Sequence, residues 1–186
     1  MKKALPFVIL ALVLVVVLAG AGLLYPALSQ RYAGDAAEVE SRPEAELPDA
    51  ADFTVYDMGG SPVRLSDLVG KPILVNFWAT WCPPCRSELP YFDAAYAAHG
   101  DEIVFLMVDL TDGVQETQTG VEDFLVENGY VFPVYFDLDA SAAQAYALYS
   151  IPQTVAINAQ GQIVYQRVGA LSRELLDEIL ERLLAS

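Results

Sequence analysis

Cys82 and Cys85 stand two residues apart in the stretch Trp78-Ala79-Thr80-Trp81-Cys82-Pro83-Pro84-Cys85, and the chain has no other cysteine. Both thiols therefore belong to one site. The chemistry open to such a pair is thiol–disulfide exchange, in which one thiolate attacks a disulfide and the second thiol resolves the mixed disulfide that forms. The apolar run Ile73-Leu74-Val75-Asn76-Phe77 before the pair reads as a buried strand. Leu89, Phe92 and Tyr96 after it mark one face of a helix, which puts Cys82 at a helix start. There the unsatisfied backbone N–H groups and the helix dipole favour a thiolate over a thiol, and Arg86 is a candidate for a helpful positive charge. Cys82 is the expected nucleophile. Cys85 lies one turn further on, faces the same side, and is the expected resolving thiol of a redox-active disulfide. Pro83 and Pro84 are tolerated in a first helical turn, where a missing N–H costs no bond, and they stiffen the loop that presents the sulfurs.

Two blander uses of the pair compete with this. A structural zinc needs four Cys or His ligands, and His99 is the only further candidate, so no metal is expected. A purely structural bridge across two residues closes a tiny loop and removes little unfolded-state entropy. No cofactor is called for by the exchange chemistry itself.

The elements that must hold the site follow from patterning. Phe53 to Tyr56 and Val63 to Leu65 read as a short hairpin across Gly59-Gly60-Ser61-Pro62, with a turn opened by Ser66-Asp67-Leu68. The helix carrying the cysteines should end near Gly100, and Ile103 to Val108 is a second apolar strand. A polar stretch and a helix over about 120–128 follow, then a short strand over Val134 to Phe136 and a helix over Ser141 to Tyr149. Thr154 to Asn158 and Gln162 to Val168 form an antiparallel hairpin, and Ser172 caps an amphipathic helix running to Leu184. Strands too apolar to have a wet face imply a parallel core covered by helices on both sides, an α/β fold.

Two residues in this plan carry further chemistry. Ile151-Pro152 sits between a helix and a strand; a cis bond there would turn the Ile151 backbone outward beside the cysteines, to pair with an extended substrate, although trans is the commoner isomer. Glu88, at about 100° per residue, falls on the flank of the buried stripe formed with Cys85, Leu89 and Phe92. A part-buried carboxyl there would have a raised pKa and could shuttle the proton of Cys85; a solvated surface glutamate is the other reading.

Outside the domain, Lys2 and Lys3 precede an almost wholly apolar stretch from Phe7 to Leu28. As a helix it would be about 33 Å long against a bilayer core of about 30 Å. Basic residues before it and acidic ones beyond Arg31 leave the N-terminus cytoplasmic and the rest outside. Residues 1–30 are therefore expected to be a retained transmembrane anchor in the cytoplasmic membrane, with a signal peptide cleaved near Ala19-Gly20-Ala21 as the alternative. Residues 31–52, rich in Asp, Glu, Ala and Pro, read as an acidic flexible linker, and 53–186 as one domain with one core. The chain has 186 residues and a formal net charge of −15, which argues against nucleic acid or anionic lipid as partners.

The stretch from Gly70 to Pro90, through Trp81-Cys82-Pro83-Pro84-Cys85-Arg86-Ser87-Glu88, resembles the thioredoxin superfamily, in particular its membrane-anchored TlpA/ResA/DsbE-like thiol-disulfide oxidoreductases. The likeness extends from about Phe53 to the last helix. It implies a thioredoxin-like fold, a mixed central sheet flanked by helices, with Pro152 cis and facing the active site. It also implies that Ile151 tunes substrate contact and redox poise, in the manner of reducing thioredoxins, and that Trp81 shapes the docking surface. Where many thioredoxins carry a buried aspartate this chain has Asn76, which cannot exchange a proton at neutral pH; the resemblance assigns that task to Glu88. Such proteins commonly reduce disulfides of client proteins in an oxidising compartment, often the haem-attachment cysteines of apocytochromes c, and are recharged by a transmembrane thiol carrier. The same chemistry run backwards, a disulfide-introducing oxidase, is the nearest alternative. A tethered binding module or haem chaperone is the alternative of another class, and partner binding would then survive loss of both cysteines.

Overall fold

The computed structural model describes residues 47–185. The anchor expected over residues 1–30 lies outside the described residues, as does most of the expected linker. Among the described residues no helix is long and apolar enough to cross a membrane.

Among those residues, seven strands are interleaved with four helices. The strands are β1 (Thr54–Tyr56), β2 (Pro62–Arg64), β3 (Ile73–Trp78), β4 (Val104–Asp109), β5 (Val134–Phe136), β6 (Gln153–Ile157) and β7 (Ile163–Val168). The helices are α1 (Pro83–His99), α2 (Gln118–Asn128), α3 (Ser141–Ala145) and α4 (Arg173–Leu184), with one 3-10 turn over Leu65–Leu68. They build a single mixed sheet in the order β2-β1-β5-β4-β3-β6-β7. β3 lies inside it, parallel to β4 with Trp78 opposite Asp109, and antiparallel to β6 with Asn76 opposite Thr154.

Every residue of β3 is buried, and its side chains alternate between two cores. Leu74 and Trp78 join Leu89 and Phe92 of α1, Leu125 of α2 and Leu180 of α4 on one face. Ile73, Val75 and Phe77 join Phe53, Leu65 and Tyr146 on the other. A strand covered on both faces is apolar throughout, and Asn76 is the exception that needs a reason. Helix ends are set by local chemistry. The Thr117 hydroxyl accepts the Gly120 N–H at the start of α2, and Ser172 accepts the Leu175 N–H at the start of α4. α2 stops at Gly129, which takes φ 69°.

Two boundaries differ from the sequence expectation. The helix expected to reach Tyr149 ends at Ala145, because Tyr146 turns its ring onto Phe53 and Phe77 and Ala147 adopts φ 45°. Packing of one aromatic residue there overrides an alanine-rich helical pattern. The folded unit also begins before Phe53. Ile163 N–H donates to the Pro48 carbonyl at 2.8 Å, Ala50 N–H donates to the Gly161 carbonyl at 2.9 Å, and the Asp52 carboxylate takes Arg64 Nε at 2.7 Å. Composition alone read this segment as linker, but its backbone satisfies groups at the exposed start of the edge strand β7.

Candidate active site

β3 delivers the chain to the cysteines at the carboxyl edge of the sheet, and the turn closed by Cys82 N–H on the Ala79 carbonyl, 3.2 Å, sets Cys82 as the N-cap of α1. Its sulfur accepts the Cys85 backbone N–H at 3.2 Å. That is the hydrogen bond and the positive end of a helix dipole that a developing thiolate needs. Cys82 and Cys85 are joined as a disulfide. Cys82 keeps 3% of its surface and Cys85 none.

The Ile151-Pro152 bond is cis, as the resemblance implied. The Ile151 carbonyl oxygen lies 3.8 Å from Cys82 Sγ. In the oxidised form no S–H exists to donate, so this is a contact that becomes a weak hydrogen bond only when Cys82 is a thiol. A cleft of about 430 Å³ opens on Cys82 between Trp81, Pro84, Leu110, Leu148, Tyr149 and Ile151, and no residue of its lining is charged. Trp81 and Tyr149, 49% and 83% exposed, form its rim. Cys85 is absent from the lining, so only one sulfur can be reached from outside.

Glu88 is completely buried, which removes the surface-glutamate reading. Its Oε1 accepts from Asn76 Nδ2 at 2.9 Å, and its Oε2 accepts from the Leu171 N–H at 2.6 Å. Asn76 also donates to the Thr154 hydroxyl at 3.1 Å, which explains a polar residue inside the apolar strand. Burial pushes the Glu88 carboxyl up to about 7, against the lowering effect of the Leu171 and Asn76 hydrogen bonds. A carboxyl poised near neutrality, one helical turn from Cys85, is able to exchange a proton where asparagine cannot. Arg86, named as a source of positive charge, instead places its guanidinium 5.4 Å from the centre of the Phe124 ring.

A Redoxin family model matches residues 43–184. The chain belongs to the Redoxin family. This redoxin is 34% identical over 139 residues to the thiol-disulfide oxidoreductase ResA of Bacillus subtilis, a match that covers 73% of the chain and 74% of that protein. Among solved structures it resembles StoA from Bacillus subtilis, with a TM-score of 0.61 and 31% identity over 70% of this chain and 97% of that one. It also resembles a thiol:disulfide interchange protein from Chlorobium tepidum, with a TM-score of 0.65 and 27% identity over 76% of this chain and 99% of that one. The fold is thioredoxin-like, and the redoxin is a thiol-disulfide oxidoreductase of the ResA/DsbE-like kind.

Sequence reasoning missed a second group of polar residues under the redoxin's active-site loop. Glu116 is 2% exposed, and it accepts from the Thr80 N–H at 2.6 Å and from the Thr80 hydroxyl at 2.7 Å. Asp109, at the end of β4, is fully buried and accepts from the Thr111 hydroxyl at 2.6 Å. Burial pushes the Asp109 carboxyl up to about 8; the Thr111 bond opposes this, and the Glu116 and Asp112 carboxyls add to it. The available signal was an aspartate closing an otherwise apolar strand, beside the strand that leads to the cysteines. Leu110, Leu148 and Tyr149 of the cleft were likewise visible only once the loops were placed, whereas Trp81 and Ile151 were expected beside the cysteines.

Proposed function

We propose that this redoxin is an extracytoplasmic reductant of client-protein disulfides, held at the cytoplasmic membrane by residues 1–30 and a flexible acidic tether. The observation that carries the catalytic reading is the asymmetry of the two sulfurs: Cys82 caps a helix and opens on an uncharged cleft, while Cys85 is sealed one turn from the buried Glu88. In the reduced protein the Cys82 thiolate attacks one sulfur of the client disulfide. The client S–S bond breaks, a mixed disulfide forms, and the first client thiolate leaves. Cys85 then gives its proton to the Glu88 carboxylate, and its sulfur attacks Cys82 Sγ. The Cys82–Cys85 bond forms, the second client thiolate is released, and two electrons have passed to the client. A transmembrane thiol carrier returns the pair to the dithiol. Apocytochrome c, with two cysteines held close for haem attachment, is the client class that the resemblance favours.

Trp81 and the Ile151 backbone, on either side of Cys82, are suited to hold an extended client segment. Isoleucine before Pro152, as in reducing thioredoxins, supports the reductive direction. The test is Cys85→Ser in the full chain, expressed in an exporting host. Mixed disulfides with clients should accumulate through Cys82 and vanish when Cys82→Ser is added. Undiminished partner capture by the double variant would instead favour a binding module.

A further inference from the structure

β3 and β4 run parallel with Trp78 opposite Asp109, so the loops that leave them start side by side. The β3 loop carries Ala79, Thr80 and Trp81 to Cys82. The β4 loop carries Leu110, a wall of the cleft, and folds back through Asp112, whose Oδ1 accepts the N–H groups of Val114, Gln115 and Glu116 at 2.7–2.9 Å. The Glu116 carbonyl in turn accepts from the backbone N–H groups of Asp112 and Gly113. This rigid loop aims the Glu116 side chain back beneath the other one, where both of its oxygens are taken by Thr80.

We propose that Asp109 and Glu116 form a carboxyl pair that positions Cys82, by fixing Thr80 and so the loop that carries Trp81 and the nucleophile. The inference rests on Cys82 being the nucleophile, as above. Two features of the pair go beyond packing. Asp109 Oδ2 is buried and finds no donor among the described residues, and the Glu116 carboxyl, whose two oxygens accept from Thr80, is the hydrogen-bonding neighbour that acts on Asp109. Two acceptors in contact are satisfied only when one carries a proton that it donates to the other. Asp109, raised by burial, is the one that holds it. The ionisable groups that act on Asp109 are Glu116 and Asp112, both acidic, so a second negative charge here is relieved by neither. From β3 and its loop, Trp78 stands opposite Asp109 in the register and Thr80 donates to Glu116, and both are neutral.

Loss of the proton sets two buried carboxylates against each other and loosens the grip on Thr80. A loosened Thr80 misplaces the loop that carries Cys82 and slows its attack. The experiment compares wild type, Asp109→Asn and Glu116→Gln in the full chain, reduced, and reads the single-turnover rate with a model protein disulfide at about pH 7 and about pH 9.5. Cys82 alkylation by iodoacetamide across the same range supplies the thiolate fraction. Per thiolate, the wild-type rate should fall at least about fivefold between the two pH values, as the pair passes through its deprotonation. The amide introduced by Asp109→Asn donates permanently, where the acid donates only while protonated, and should abolish that fall. Glu116→Gln keeps one acceptor for the Thr80 N–H, removes the charge, and should also abolish it. Melting temperatures of the oxidised proteins identify any variant that fails to fold, and Thr80→Val, nearly isosteric, then replaces it; its loss of one donor to Glu116 should lower the rate per thiolate at least about threefold at pH near 7. Superimposable pH profiles for wild type and a folded Asp109→Asn would overturn the positioning role. A wild type that forms no adduct through Cys82 would instead sink the reading of Cys82 itself, so the two failures are distinct.

Discussion

Glu88 is the residue on which the account of proton traffic turns, and its environment makes a definite statement about pH. Its carboxyl is raised from an ordinary 4.5 to about 7 in the folded protein. Between those values the unfolded chain has lost the proton and the folded one keeps it, so the folded state binds more protons and stability falls as pH rises across this window, levelling off above about 7. Glutamine cannot lose that proton. Relative to wild type, Glu88→Gln should therefore gain about 2 to 3 kcal/mol between about pH 5 and about pH 8, read by urea unfolding of the oxidised form. The same variant should slow resolution of a Cys82 mixed disulfide and erase the inflection near neutrality in its pH–rate profile. An unchanged profile would leave Glu88 as a structural anchor between Asn76 and Leu171 and no more. The cysteines, Glu88 and Pro152 could be named from the chain because spacing and family likeness mark them. Asp109 and Glu116 could not, because two acids seven positions apart meet only when a parallel strand pair and a loop held by Asp112 bring them together.

Among the elements, α1 does two jobs that pull against each other. Its first turn must expose Cys82, while Cys85, Glu88, Leu89 and Phe92 must be buried against the sheet. Phe92 is fully buried among Leu89, Phe105 and the α4 residues of the same core, so Phe92→Ala should cost about 3 to 5 kcal/mol in chemical unfolding. At Gly129 a Cβ would meet nothing within 4 Å, so Gly129→Ala tests backbone conformation alone. Its left-handed φ should make that substitution cost about 1 to 2 kcal/mol without altering the redox reaction. Strand positions were legible because β3 and β4 are largely apolar runs, and the cap of α4 because Ser172 has the chemistry for it; the Thr117 cap of α2, ahead of the expected helix start, came from the structure. The length of α3 was not, since Tyr146 answers to a ring cluster remote in sequence. The pairing of the Pro48 and Ala50 backbone with the edge at β7, ahead of Phe53, was not legible either, because composition does not reveal where main-chain groups find partners.

Across the molecule, the sheet brings the Cys82 loop, the Glu116 loop and the Ile151-Pro152 turn to one edge, and covers that edge with an uncharged cleft. The whole chain carries a net charge of −15, which would repel an acidic docking motif, and the uncharged cleft is suited to extended backbone and apolar side chains. Fold and chemistry do not fix the direction of electron flow; the stability of the dithiol relative to the disulfide does. The helix cap on Cys82 and a proton-exchanging carboxyl near Cys85 would serve exchange in either direction by microscopic reversibility. The most direct test of the reductant reading is therefore the reduction potential of the Cys82/Cys85 couple in the full chain, equilibrated with defined dithiothreitol or glutathione ratios and read by thiol trapping. A reductant should show a value close to that of thioredoxin, about −270 mV; a value near that of DsbA, about −120 mV, would make the protein an oxidase instead.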